Sequence, residues 1–97
     1  MYKFIITIDL QPDTRDLILA RAPEAQAATR AEPGCIAYDF YTCTDNPDRL
    51  VFVETWHDEA AHAAHMEYEH TKRFIAFHEQ FHTALTFETI NFAPSTD

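Results

Sequence analysis

The sequence predicts an α+β fold in which one antiparallel sheet carries helices on a single face. Three observations lead there. Four short segments, at 2–10, 35–43, 49–57 and 84–92, are rich in β-branched and aromatic residues. Between them lie two longer segments whose apolar residues recur at helical spacing. The whole chain has 97 residues, the length of one domain.

The first strand, 2–10 (Tyr-Lys-Phe-Ile-Ile-Thr-Ile-Asp-Leu), has apolar side chains on both parities, so both faces want cover. Gln11-Pro12-Asp13 breaks it, and a side-chain oxygen of Asp13 or Thr14 is placed to cap the following helix. Leu17, Ile18, Ala25 and Ala28 supply that helix with an apolar face. Pro23 deletes one helical hydrogen bond and crowds the carbonyl of Leu19, which predicts a kink or a break. Pro33-Gly34 ends the segment. The strands at 35–43 and 49–57 flank the turn cluster Asp45-Asn46-Pro47-Asp48 and form a hairpin. Asp58 caps a second helix, which passes Ala60, Ala61, Ala63, Ala64 and Met66, meets a hitch near Tyr68 and runs to about His82. Phe74, Phe77 and Phe81 share one face of it. The last strand spans 84–92. Residues 1–93 make the domain, and 94–97 (Pro-Ser-Thr-Asp) a flexible tail.

The order β-α-β-β-α-β is the ferredoxin-like arrangement, a four-stranded antiparallel sheet with two helices on one face. The other face would lie bare. Yet the strands carry bulky residues on both parities: Phe4 with Ile5, Phe40 with Tyr41, Phe52 with Val53, Phe87 with Ile90. A second copy, packed sheet to sheet, covers that face, so a homodimer is expected. A composition 46% hydrophobic and 13% aromatic fits the extra burial.

Charge narrows the partners. Sixteen acidic against seven basic residues give a formal net charge of −9, which repels phosphate backbones and anionic lipid. Nucleic acid and membrane are therefore excluded as expected partners, and a small molecule is favoured. No apolar run approaches the roughly 20 residues of a membrane span. Met1-Tyr2-Lys3-Phe4 leads straight into a strand pattern, with no signal peptide. Cys35 and Cys43 lie on one predicted strand, roughly 26 Å apart at about 3.3 Å per residue, beyond disulfide reach. The expected compartment is the cytoplasm. The single glycine leaves no Gly-rich phosphate loop, and the single serine, Ser95, lies in the tail.

Three clusters then follow one another along the chain. Glu32-Pro33-Gly34-Cys35 enters the second strand, with Tyr38 three residues on. Glu54-Thr55-Trp56-His57-Asp58 ends the third strand and caps the second helix. Ala64-His65-Met66 is followed by His70, five residues after His65, and by Phe74. With these, the chain resembles the antibiotic biosynthesis monooxygenase (ABM) family over nearly its whole length. The resemblance implies a dimeric α+β barrel with a pocket between sheet and helices in each protomer, near Trp56, His65, His70 and Phe74. It implies a monooxygenase that needs no cofactor and acts on an electron-rich aromatic of phenol or quinol type. The alternatives on the same fold are a non-catalytic small-molecule-binding or stress-related dimer and a proton-transfer isomerase. In haem-degrading relatives the iron-ligating position falls at Ile75 here, with His78 one turn on. An isomerase of a phosphorylated sugar would need basic residues, which Lys72 and Arg73 could supply.

Oxygenation without a cofactor requires a base, an apolar cavity and hydrogen bonds to an anion. Histidine suits the base role, with an ordinary pKa of about 6.5. His70 shares a helical face with Phe74, Phe77 and Phe81, so its imidazole is expected to reach the pocket or the core. The plainer role for it is a buried cap on a carbonyl. His65 is the second candidate base; its plainer role is a surface histidine near Glu69. Glu54 and Trp56, two apart on a strand, face the same side. A half-buried Glu54 needs a partner, for which Arg73, Lys72 or a histidine is available. Trp56 and Phe74 would wall the pocket, although a tryptophan there is as well suited to anchor a core. Tyr38 joins that side if the hairpin pairing sum is even; an odd sum puts it near Val53 and Thr55. Two histidine pairs, His62 with His65 and His78 with His82, have the spacing of a shared helix face. No third metal ligand lies nearby in sequence, so no metal is assigned.

Overall fold

The computed structural model of the chain describes residues 1–90. In chain order its elements are β1 (Tyr2–Leu10), α1 (Arg15–Leu19), α2 (Ala22–Arg30), β2 (Cys35–Cys43), β3 (Asn46–Trp56), α3 (Glu59–His65), α4 (Glu69–Glu79) and β4 (His82–Ile90). The strands form one antiparallel sheet in the order β2-β3-β1-β4. This is the ferredoxin-like α+β arrangement, with each of the two expected helices divided in two.

Both divisions have local causes. Pro23 stands in the first turn of α2, where a missing N–H breaks no helical bond, so the chain restarts a helix there instead of bending one. Tyr68 adopts an extended backbone (φ −70°, ψ 142°) and opens α4. Asp58 caps α3 as expected, its Oδ1 accepting from the N–H of Ala61 at 2.8 Å.

The cap expected of Asp13 or Thr14 is not made. The Thr14 hydroxyl donates back to the carbonyl of Gln11 at 2.8 Å, and Asp13 sits at φ 66° with its N–H on Oδ1 of Asp48. Without a side-chain cap, α1 is a single short turn packed by Ile18. The hairpin is also tighter than expected. β3 begins at Asn46, and the register shifts so that Cys43 pairs with Asn46 while Thr42 pairs with Leu50. Pro47 falls among the extra residues, where its missing N–H interrupts no rung. α4 stops at Glu79, so His82 opens β4 and does not close the helix. The end of the strand expected at 84–92, the close of the domain at 93 and the tail at 94–97 lie outside the described residues.

The sheet's even face holds the core. Phe4, Ile8 and Leu10 of β1 and Leu50, Phe52 and Trp56 of β3 are buried, and Ile18 and Phe74 of the helices belong to the same core. Fully burying one such side chain contributes about 1.5–3 kcal/mol. On the odd face Ile5, Thr7, Val51 and Val53 are only half-buried. On β4, Leu85 and Phe87 pair with Ile8 and Ile6, yet stay 53% and 45% exposed, because the helices do not reach that edge. Among the described residues no helix is long and apolar enough to cross a membrane.

Candidate functional site

A cavity of about 280 Å³ lies between the sheet and α3 and α4. Phe52, Phe74, Ile75 and Phe87 make it largely apolar, and Tyr38, Glu54, His65 and Thr71 bring polar atoms to one side of it. The hairpin register settles Tyr38. It pairs with Glu54, so Tyr38, Glu54 and Trp56 share the face under the helices. Burial pushes the Tyr38 hydroxyl well above its ordinary range, which makes it a hydrogen-bond donor and not an anion.

Glu54 is 4% exposed. Its partner is none of those expected from sequence. The Trp56 indole N–H donates to Glu54 Oε1 at 3.1 Å. Lys72 instead meets Glu67 at the surface, and Arg73 lines a groove on the far side of α4. Desolvation raises the Glu54 carboxyl from 4.5 to about 7; the indole bond opposes this, and the nearby Glu32 adds to it. Trp56 itself is fully buried and does not line the cavity. It backs His65, with ring centroids 4.7 Å apart.

The most connected feature is a carboxylate held by two histidines. Glu32 Oε2 lies 2.9 Å from His65 Nδ1 and 2.7 Å from His70 Nε2, and Glu32 Oε1 lies 3.1 Å from the same His65 nitrogen. Thr71 Oγ1 is 3.2 Å from His65 Nδ1. The side chains of Glu32, His65 and His70 are 3%, 5% and 27% exposed. The break at Tyr68 makes this possible. On an unbroken helix, residues five apart point roughly 140° away from each other at 3.6 residues per turn. Ending α3 at His65 and restarting at Glu69 turns both rings toward one acceptor.

Glu32 is placed from the other side by its loop. Its N–H bonds to the Thr29 carbonyl at 3.0 Å, and the His57 N–H bonds to the Gly34 carbonyl at 2.8 Å. Gly34 has φ +85°, and a Cβ there would lie 2.6 Å from that of Ala61 in α3. The loop thus rides directly on the helix that presents His65.

The two candidate histidines, 6.5 Å apart between ring centroids, border different spaces. His65 lines the cavity. His70 lines an outer groove of about 250 Å³ with Arg21, Arg73 and Phe74, and is not among the cavity residues. Burial lowers the pKa of His65, with Glu32 acting in the opposite direction. A carboxylate on Nδ1 fixes the tautomer and leaves Nε2 to the cavity. The nitrogen and oxygen atoms of Glu32, His65 and His70 lie within 4.8 Å of one another, near enough to enclose a cation. Their spacings are those of hydrogen bonds, and two arginines against one glutamate, Glu24, line the groove, so we read the cluster as a hydrogen-bonded chain.

A second histidine pair faces the same cavity. His78 Nδ1 and His82 Nε2 are 2.8 Å apart, joining the end of α4 to the first residue of β4. Burial, with His82 contributing, lowers His78 to about 4, so this pair is neutral at neutral pH. His62 packs edge-on against Phe4 at 4.7 Å. Sequence reasoning assigned no role at the site to Glu32 or Thr71, and considered His78 only as a metal or haem ligand. Glu32 stood inside a motif, but nothing local indicated that it faces residues 33 and 38 positions later.

Comparison with known proteins agrees with this fold. A crystal structure described as an antibiotic biosynthesis monooxygenase is similar at TM-score 0.89 and 30% identity, covering 97% of this chain and all of that one. PA3566 from Pseudomonas aeruginosa is similar at TM-score 0.85 and 25% identity, covering 96% of this chain and 94% of its own. An uncharacterized protein of Synechocystis, sll1783, is 29% identical over 68 residues, which are 70% of this chain but only 46% of that protein's length. The family model described as antibiotic biosynthesis monooxygenase matches residues 1–76. The chain belongs to the antibiotic biosynthesis monooxygenase family.

Proposed function

We propose that the chain is a cofactor-independent monooxygenase of an electron-rich aromatic small molecule, of phenol or quinol type. One observation carries this reading: a buried histidine, anchored through Nδ1 to a carboxylate, borders a largely apolar cavity lined by aromatic rings. His65 takes the phenolic proton at Nε2. The resulting anion passes one electron to O₂, and the pair recombines as a peroxide at a ring carbon. The peroxide anion takes back the proton held by His65, and loss of the proton on that ring carbon then breaks the O–O bond. One oxygen atom stays as a carbonyl and the other leaves as hydroxide, which the carbon's proton converts to water, with the substrate supplying all four electrons and both protons. Glu54, with a pKa of about 7, is protonated often enough at neutral pH to donate to a developing oxyanion, as is Tyr38.

The functional unit in this reading is a homodimer through the odd sheet face, supported by the half-buried Ile5, Val51 and Val53 and by Tyr41, which is exposed. A cytoplasmic location is supported by two free cysteines. The test is a panel of hydroxylated naphthalenes and anthracenes, incubated with the protein with and without air. Oxygen-dependent turnover is expected, falling about 10²- to 10⁴-fold in His65→Ala. Absence of such turnover across the panel refutes the oxygenase, and full turnover in His65→Ala refutes the site. Light scattering that gives a stable species near the 11.2 kDa monomer mass refutes the dimer.

A further inference from the structure

We infer that Glu32 and His70 form a proton path between the cavity and the outer groove, so that His65 exchanges its proton through Glu32 and not through the cavity mouth. This rests on His65 being the group that handles the ligand's proton. Three observations support it. The contacts are continuous, 2.9 Å from His65 Nδ1 to Glu32 Oε2 and 2.7 Å from the same oxygen to His70 Nε2. Exposure rises along the chain only at its last member, His70. The two ends open on different spaces, the cavity at His65 and the groove at His70.

The transfer balances. A proton taken at Nε2 of His65 releases the one on Nδ1 to Glu32 Oε2. With His70 in the tautomer that carries its proton on Nδ1, Glu32 hands the proton it received to Nε2 of His70, and His70 gives one from Nδ1 to water in the groove. One proton enters and one leaves, and no charge accumulates on the buried carboxylate. A carboxylate shared by two imidazoles suits this task, because each ring both accepts and donates. Arg21, Glu24 and Arg73 line the same groove, and the two guanidinium charges against one carboxylate disfavour a bound cation there. They do not obstruct a neutral exit through water. His70 is thus a relay residue and touches no ligand.

The experiment reads the path without substrate, so it stands apart from the oxygenase assay. The exchange rate of the His65 Nδ1 proton with water is measured by NMR on histidine-labelled protein. In His70→Ala it is expected to slow by about tenfold or more, and free imidazole entering the vacated groove should restore it. Pyrazole, a similar ring but a far weaker base, should not. If His70→Ala does not fold, His70→Gln takes its place, since it keeps a bond to Glu32 but passes no proton. Unchanged exchange in the folded variant overturns the path. So does equal rescue by pyrazole, which would mark a packing role. Tight binding of Zn²⁺ or Mn²⁺ that broadens all three signals would also overturn it, in favour of a metal site. Slowed exchange with imidazole rescue but no oxygenase turnover would retain the path and remove the oxygenase.

Discussion

Replacing Glu54 with glutamine isolates one buried charge. In the folded chain the carboxyl titrates near 7 against 4.5 when solvated, because burial disfavours its anion. The folded state therefore holds this proton more tightly than the unfolded state. The corresponding stabilisation is complete below about pH 4.5 and is lost as pH rises through about 7. At about 1.36 kcal/mol per pKa unit, the loss over that interval is about 3 kcal/mol. Glutamine has the same shape, has no proton to lose, and its oxygen still accepts from the Trp56 indole. Urea unfolding of both proteins at one protein concentration, from about pH 4 to about pH 8, gives the difference directly. Glu54→Gln should gain on the parent by about 3 kcal/mol across that range, with no gain below about pH 4.5. Groups common to both proteins cancel. Parallel stability curves, or a variant that loses ground as pH rises, would refute the buried-carboxyl account.

His78 should show the opposite slope. Its folded pKa is depressed to about 4 from 6.5, so the stability it confers is present above about pH 6.5 and is lost as pH falls through 4. His78→Phe should flatten that acid limb by about 3 kcal/mol, and an unchanged limb would show that the ring is not desolvated. Gly34→Ala forces a Cβ to 2.6 Å from that of Ala61 at a φ of +85°. It should destabilise by about 2–4 kcal/mol and shift the His65 signal by displacing Glu32. A neutral outcome in urea unfolding would mean that the loop does not ride on α3.

Much of the site's placement was legible because local chemistry dictates it. Two residues apart on a strand must face one side, and Glu54 and Trp56 do, close enough to bond. Pro23 had to start or break a helix, and it starts one. The hitch at Tyr68 was visible, but its consequence was not. Helical periodicity put His70 on one face with Phe74, and α4 keeps them together: both line the groove, and only Phe74 also reaches the cavity. The break re-aims the residues before it, so it is His65 that turns to the cavity and to Glu32. His82 was misplaced for a similar reason: extending α4 by one turn put it on a helix, when it begins the neighbouring strand.

Local patterns carry the element order, the strand pairing of the hairpin to within its parity, and most of the apolar side chains that are buried, although Leu17, expected on an apolar helix face, is exposed. These follow from period-two and period-3.6 patterns and from turn residues, all of which act over a few positions. Which polar groups meet depends on how distant segments pack. The bonds from Glu32 to His65 and His70 span 33 and 38 residues, and depend on a helix break, a glycine at φ +85° and the seating of the loop on α3. A hydrogen bond is sensitive to a few tenths of an ångström, whereas hydrophobic patterning tolerates whole residues of uncertainty. That difference in tolerance is why the fold could be read from the sequence and the histidine–carboxylate chain at its centre could not.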